Sequence, residues 1–322
     1  MRSVRWLGLL ALYVGAQAVG LALAEPFLSA GLSSTSNAQS VTAPIEIIVL
    51  IVLAPLGILF LARRQGGVAA LRHLILLAIA GALYFTLFAT FALFPPSQIL
   101  LPPYGAELTV VPALILAGTV SACLYLALLM EPQWYVVDLV GFLAAGSLIA
   151  ILGISFAILP AFILLVALLI YDAIAVYGTK HMVSLAEVVT DMKLPILMVM
   201  PESAGYDYTS SPSLAEQRQQ PTEERQALFM GLGDVVIPGT LVVSSFIWLP
   251  DAPHFAGIGA NALVAAATLL GSLVGYGILM RLVLRGNAQA GLPLLNGGAI
   301  AGYVLAYLLL FRSWTLGFTG AL

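Results

Sequence analysis

The sequence predicts an all-α polytopic membrane protein with nine transmembrane helices, and three observations support that fold class. The 322 residues are 61% hydrophobic and 8% charged, with a mean hydropathy of +1.06, whereas a soluble domain carries about 25% charged residues. Apolar runs of roughly 17–25 residues, long enough to cross a bilayer, recur along the chain. Basic residues also gather on alternate connections, as they do in membrane proteins of fixed orientation.

The predicted spans follow one another along the chain. They are residues 5–24, 45–62, 68–94, 109–130, 135–154, 156–178, 228–250, 260–284 and 293–313. Turn-forming residues such as Gln65-Gly66-Gly67 and Glu131-Pro132 separate them, and the tightest join lies near Gly153–Ser155. The first run has no clear cleavage site after its basic start, so we expect it to be retained as a span.

The spans divide the chain into three parts. Residues 1–178 carry six spans, 179–227 form a cytoplasmic loop, and 228–322 carry the last three. This arrangement puts 11 of the 12 Lys and Arg residues on the side of the amino terminus and leaves Arg312 on the other. The bias predicts a cytoplasmic amino terminus and an external carboxyl terminus in the cell membrane. The net charge of −3 offers no basic patch, so the bilayer is an expected partner and nucleic acid is not.

The long loop contains three predicted parts. Thr179–Met192 has an apolar helical stripe, which is typical of a short helix at the membrane surface. Leu194–Pro201 is a short apolar run bounded by prolines, which favours an extended strand. Ser203–Arg225 is rich in Ser, Pro, Gln and Glu and is predicted to be disordered.

Two carboxylates lie inside apolar spans. Asp172 is near the end of span six and Asp234 is about seven residues into span seven, so both fall roughly 10 Å below the same membrane surface. An acid in hydrocarbon costs roughly 2.5–3.5 kcal/mol on insertion scales, which makes each one a functional candidate. The alternative is that each merely bonds to a neighbouring helix. Equal depth favours a joint site.

A pair of close carboxylates has a defined chemistry. The two cannot easily both ionise, so one keeps a proton and the pair offers a general acid and a general base. Such a pair can activate water against a peptide carbonyl without a metal or an organic cofactor. The histidines, His73, His181 and His254, lack the spacing of a zinc protease. A serine protease element of the Gly-x-Ser-x-Gly type is also missing.

The residues around the two acids resemble the presenilin/signal peptide peptidase family of intramembrane aspartyl proteases, the GxGD type. Tyr171-Asp172 and Gly231-Leu232-Gly233-Asp234 match its two aspartate motifs, and Pro293-Leu294-Leu295 matches its Pro-Ala-Leu element except for the alanine. The chain is most similar to archaeal presenilin homologues. The resemblance implies that Asp172 and Asp234 are catalytic.

The resemblance also implies a substrate and a cleft. The substrates would be single-span membrane proteins, including signal peptides, cut within the bilayer. Tyr171, Gly231, Leu232, Gly233, Pro293, Leu294 and Leu295 would line the cleft. Family members bind an unwound substrate as an added strand, and the Leu194–Met200 run is the predicted partner of that strand. The leucine in place of the family's alanine leaves open how closely that element approaches the aspartates.

Several interpretations stay open. The acid pair could instead relay protons or cations in a secondary transporter, and a non-catalytic scaffold would tolerate loss of either acid. Tyr171 either bonds to a carboxylate or sits at a helix interface, and Pro293 could be an ordinary first-turn proline. The Leu194–Met200 run could also be a mere apolar tether. The sequence does not determine whether the chain forms a homo-oligomer.

Three further features are interpreted as structural. Asp138 lies only a few residues inside span five, where it can reach the cytoplasmic interface. Gly271-x-x-x-Gly275 and Gly298-x-x-x-Gly302 fit close helix packing. Cys123, the single cysteine, excludes an intrachain disulfide.

Overall fold

The computed structural model confirms a mostly helical polytopic fold. It describes residues 2–62, 64, 66–93, 110–178, 193–203, 205–210, 226–285 and 289–318. Within these residues lie nine α-helices, one at each predicted span. They are α1 (Arg2–Ser29), α2 (Thr42–Ala62), α3 (Gly67–Leu93), α4 (Val110–Met130), α5 (Trp134–Ser155), α6 (Ile158–Ala173), α7 (Leu232–Trp248), α8 (Ala260–Val283) and α9 (Leu292–Phe311). Eight described helices have the length and apolar composition to cross a membrane, counting α6 with the π-helical turn Ile174–Gly178 that extends it.

The predicted start of span seven is wrong. Residues Ala227–Gly231 form a strand, β2, and α7 begins only at Leu232, so this helix has 17 residues. The strand pairs antiparallel with β1 (Leu197–Pro201), from Leu197 opposite Gly231 to Pro201 opposite Ala227. Pairing satisfies the backbone groups of this apolar segment that face β1 without a helix. Asp234 therefore lies in the first turn of α7 rather than two turns inside a helix.

The long loop is partly as predicted. The extended structure expected at Leu194–Pro201 is confirmed by β1. The disorder expected over Ser203–Arg225 is wrong at Tyr206 and Tyr208, which are buried: their rings pack with each other, and that of Tyr208 also packs with Phe229 of the hairpin. The surface helix predicted at Thr179–Met192 lies outside the described residues.

Glycines join α8 and α9 closely. A Cβ added at Gly271 would overlap the carbonyl of Gly298, and one at Gly302 would overlap the carbonyl of Ala267. A Cβ at Gly275 would overlap the carbonyl of Leu294 at the start of α9. The two predicted glycine pairs therefore do bring helix backbones together, as small residues do in membranes. A short hairpin, β3 (His254–Phe255) with β4 (Ile258–Gly259), connects α7 to α8.

Burial is uneven across the bundle. Helix α5 is central, since 61% of the residues in its 18-residue apolar stretch are buried, whereas only 6% of those in the corresponding stretch of α2 are buried. Helices α2, α3 and α4 expose large apolar side chains such as Leu50, Phe85 and Ile115, as lipid-facing helices do. The β1–β2 hairpin packs against α1 and α5 beside the site described next. The side of the membrane on which it lies remains a prediction.

Candidate active site

Asp172 is held at the end of α6 by the start of α9. Its side chain is 7% exposed, and its Oδ2 accepts a hydrogen bond of 3.0 Å from the backbone N–H of Leu292. The first N–H groups of a helix have no partner within the helix. Gly291, which precedes α9, has no side chain to supply one. Asp172 therefore caps α9 from another helix.

Asp234 reaches the same segment from α7. Its side chain is partly buried, and a Cβ built at Gly291 would come within 2.7 Å of both of its oxygens. Only a glycine at position 291 leaves room for the carboxylate in this position. The strand end at Gly231 lies on its other side, where an added Cβ would meet Oδ2 at 3.4 Å.

The two carboxylates thus contact one dipeptide, Gly291-Leu292, and they are close enough to interact electrostatically. The amino-terminal ends of α7 and α9 both meet at this point. Because helix amino termini carry a partial positive charge, they stabilise negative charge on the acids. The structure therefore brings together Asp172 and Asp234, the two acids that the sequence predicts to share a site.

The predicted cleft residues divide into three groups. Gly231 borders Asp234, and Pro293 opens the first turn of α9 directly after the shared dipeptide. Leu294 and Leu295 instead pack into the core, where Gly275 lets α8 approach the Leu294 carbonyl. The remaining three are more peripheral: Tyr171 is half-buried against the core, Gly233 is exposed, and Leu232 faces a cavity.

That cavity lies between α1, α3 and α5. Its volume is about 900 Å³, and almost all of its lining is apolar, including Leu83, Phe88 and Leu148. At one end Pro195, Ile196 and Leu232 line it. Leu232 is the first residue of α7, so this end of the cavity lies at the start of that helix, although neither acid is among the residues that line it.

Sequence reasoning missed three residues of this site. Gly291 and Leu292 were overlooked because their importance comes from contacts with two distant helices. Tyr177 was overlooked because it lies beyond the aspartate motif, in the π-helical turn. Its hydroxyl donates to Oε1 of Gln289 at 3.0 Å and accepts from the N–H of Ala290 at 3.2 Å, which fastens the segment leading into α9. The only available signal was the position of Gly291 two residues before Pro293.

Within the part of the chain that the structure describes, the β1 edge of the hairpin is hydrogen-bonded and the β2 edge is open. The ladder pairs Leu232 N–H with the Ile196 carbonyl and Glu202 N–H with the Gln226 carbonyl. Along an antiparallel ladder, hydrogen-bonded pairs alternate with pairs that are not hydrogen-bonded. The N–H and C=O groups of Val199 therefore point away from β2, and those of Ala227 and Phe229 point away from β1. Val199 N–H donates to Oδ1 of Asp138 at 2.6 Å. Ala227 and Phe229 make no such bond among the described residues.

The described residues contain no cluster of three or more His, Cys, Asp or Glu side chains that could hold a metal ion. What converges at this site is a carboxylate pair between membrane-spanning helices. Such a pair defines a class of polytopic membrane proteins that use buried acids for proton chemistry.

Comparison with known proteins identifies the family within this class. Residues 10–312 match the family model described as signal-peptide peptidase, presenilin aspartyl protease. The chain therefore belongs to the signal-peptide peptidase and presenilin family of aspartyl proteases. A comparison with curated proteins found no match.

Two solved structures are similar over nearly the whole chain. Both are described as a presenilin family intramembrane aspartate protease, one in space group C222 and one in P2. The first is 30% identical with a TM-score of 0.60, covering 94% of this chain and 99% of that one. The second is 33% identical with a TM-score of 0.60, covering 94% and 97%.

Proposed function

We propose that this intramembrane aspartyl protease cleaves membrane-spanning helices with Asp172 and Asp234 as its catalytic pair. The observation that carries the proposal is that both carboxylates, from different helices, contact the same dipeptide at the start of α9. Family membership supports the same chemistry. The transporter alternative requires a polar path through both halves of the membrane, whereas the cavity described above is lined almost wholly by apolar residues.

The pair hydrolyses a peptide bond without a covalent intermediate. One carboxylate takes a proton from water as the water oxygen bonds to the carbonyl carbon, and the protonated partner gives its proton to the carbonyl oxygen. The tetrahedral diol then loses the amine: the C–N bond breaks, the nitrogen takes a proton from one acid, and a diol hydroxyl returns a proton to the other. One proton remains on the pair, ready for the next cycle.

The cavity supplies a route for the substrate. Its apolar lining suits the side chains of a transmembrane helix, and one of its walls is α3, which exposes large apolar side chains as a lipid-facing helix does. A substrate helix lying there would reach Ile196 and Leu232 at its end. An intact helix hides its peptide bonds, so the scissile segment must unwind before the acids can reach it.

The open edge of β2 is the better partner for the unwound segment. The Leu194–Met200 run was predicted for this role, but one edge of β1 pairs with β2 and the other meets Asp138. The edge of β2 offers Ala227 and Phe229 to an added strand and leads directly to Asp234. Main-chain pairing of this kind tolerates many substrate sequences.

The enzyme's location follows from the same proposal. It is an integral multi-pass membrane protein, and we place it in the cell membrane with the 179–227 connection in the cytoplasm. The basic residues segregate in this sense. Cleavage would then occur near the cytoplasmic face, and single-span membrane proteins, including signal peptides, would be the substrates.

Cleavage of a single-span substrate in liposomes tests the assignment. We expect the intact enzyme to cut it, and Asp172→Asn and Asp234→Asn each to abolish cutting, because asparagine keeps the shape but cannot share a proton. Asp138→Asn, which changes an acid outside the pair, serves as the matched control and should remain active. Equal cutting by either dyad variant would refute the assignment.

A further inference from the structure

Asp138 is a buried acid that the catalytic proposal does not use. It lies in the second turn of α5 with only 5% of its surface exposed. The interpretation that it reaches the membrane interface is therefore wrong. The carboxylate is turned toward β1, where its Oδ1 accepts the N–H of Val199 at 2.6 Å, and its Oδ2 has no partner among the described residues. Burying an acid costs free energy, so its position calls for an explanation.

The bond that Asp138 makes lies on the outer edge of the hairpin. Val199 faces Phe229 across the ladder but points its N–H away from β2, because the paired backbone groups are those of Ile196 and Leu232 at one end and Glu202 and Gln226 at the other. Val199 itself is fully buried. An outward N–H at this depth needs an acceptor, and Asp138 is the one it has.

A second contact holds the same hairpin to α5. Gln133, which precedes the helix, donates to Oδ1 of Asp207 at 3.0 Å and accepts the N–H of Tyr208 at 3.3 Å. Hydrogen bonds from Thr209 and Gln133 hold the pKa of Asp207 below its usual range, so this carboxylate stays an acceptor at neutral pH. The first turns of α5 thus bind β1 at its centre and also the turn after it.

The hairpin needs these contacts because its connection to the catalytic helix is weak. Strand β2 runs into α7 through Gly231-Leu232-Gly233, and a Cβ at Gly233 would meet no atom within 4 Å. Two glycines in three residues restrict the backbone little. Without support from α5, the hairpin could change its angle to α7.

We propose that Asp138 is a positioning residue, which holds the β1–β2 hairpin on α5 so that the free edge of β2 presents one substrate bond to the catalytic pair. The proposal rests on the proposed function and adds a determinant of where the substrate is cut. Asp138 acts through the strand and does not touch the reacting atoms. Its loss lets the hairpin adopt several angles, and several neighbouring bonds of the substrate then reach Asp172 and Asp234.

The test is the distribution of cleavage positions, measured by mass spectrometry on a single-span substrate in liposomes. Asp138→Leu removes the acceptor, and we expect cuts to spread over neighbouring bonds while kcat/KM falls about tenfold. Asp138→Asn keeps an acceptor oxygen and should keep the distribution of the unmodified enzyme. Hydrogen exchange of the Val199 amide should accelerate only in the leucine variant.

A destabilised control separates positioning from general weakening. Ile154→Ala removes buried packing from the same helix, away from the hairpin, and should lower the amount of active enzyme while every cut stays at its original bond. If Asp138→Leu does not fold, Val199→Pro removes the donor while keeping the carboxylate. Proline is tolerated there because this N–H is outside the ladder.

Three results would overturn the proposal. They are an unchanged distribution in Asp138→Leu or Val199→Pro, a spread in Asp138→Asn equal to that in the leucine variant, and a spread in the Ile154→Ala control. Failure of the catalytic assignment is distinguishable, because then the dyad variants Asp172→Asn and Asp234→Asn would still cut.

Discussion

The two sides of the acid pair are built differently. On one side α8 and α9 are in backbone contact through Gly271, Gly275, Gly298 and Gly302, and α9 places Gly291-Leu292 against both carboxylates. On the other side α1, α3 and α5 surround a cavity of about 900 Å³. We infer that the close packing of α8 and α9 fixes the acids, and that a substrate helix enters from the lipid through the cavity. The contrast indicates which side performs which part of the reaction.

The largest effect is expected from disrupting the close packing of α8 against α9. Gly271→Ala puts a methyl group into the carbonyl of Gly298, which is backbone and cannot move aside, so the free energy of unfolding should fall by about 3 kcal/mol and activity should be lost with it. Gly277→Ala is the control on the same helix, where no atom lies within 4 Å of the added Cβ. Thermal unfolding in detergent measures both. Similar melting temperatures for the two variants would contradict the close packing.

The next largest effect is expected at Gly291, where the segment leading into α9 meets the acids. Gly291→Ala forces the Asp234 carboxylate aside while leaving the helices in place. A displacement of about 1 Å can cost about 100-fold in rate, so kcat should fall by that factor at an unchanged melting temperature. Gly297→Ala, also in α9 but with open space around the added Cβ, should keep its activity. A fully active Gly291→Ala enzyme would show that the contact is not required.

The cavity between α1, α3 and α5 can be blocked without changing the acids. Ala82→Trp places a large ring in the cavity and should raise KM for a single-span substrate about fivefold, which corresponds to about 1 kcal/mol of lost binding. Leu77→Trp adds the same ring to an exposed position of α3 outside the cavity and should leave KM unchanged. Equal KM values in steady-state assays would argue against entry through this cavity.

The smallest effect is expected at the contact that fastens the segment before α9. Tyr177→Phe removes the hydroxyl that accepts from Ala290 and donates to Gln289, and it should lower kcat/KM about threefold. Tyr135→Phe changes a tyrosine of the same 56% exposure and should have no effect. A loss of equal size in both variants would remove the special role of Tyr177.

The comparison also shows what the sequence could and could not predict. The helices were predictable because length and hydropathy decide membrane insertion, and both acids stood out as charges in apolar runs. The start of α7 was not, since Ala227–Gly231 is as apolar as a helix end and becomes a strand only by pairing with β1. Gly291 and Asp138 were missed or misread because each depends on a segment distant in the sequence: Gly291 on the Asp234 carboxylate and Asp138 on the N–H of Val199.

The most direct test of the account is to locate a bound substrate. The chain's one cysteine, Cys123, is exposed, so Cys123→Ser in an Asp234→Asn enzyme gives a background without cysteine that we expect to be unable to cut. Ala82→Cys would then probe the cavity, and Val274→Cys the lipid-facing side of α8, where this residue is 65% exposed. Each would be tested for disulfide formation with a single-cysteine, single-span substrate in liposomes. We predict a strong cross-link at Ala82→Cys and little at Val274→Cys. Equal cross-linking, or cross-linking only at Val274→Cys, would contradict entry of the substrate through the cavity.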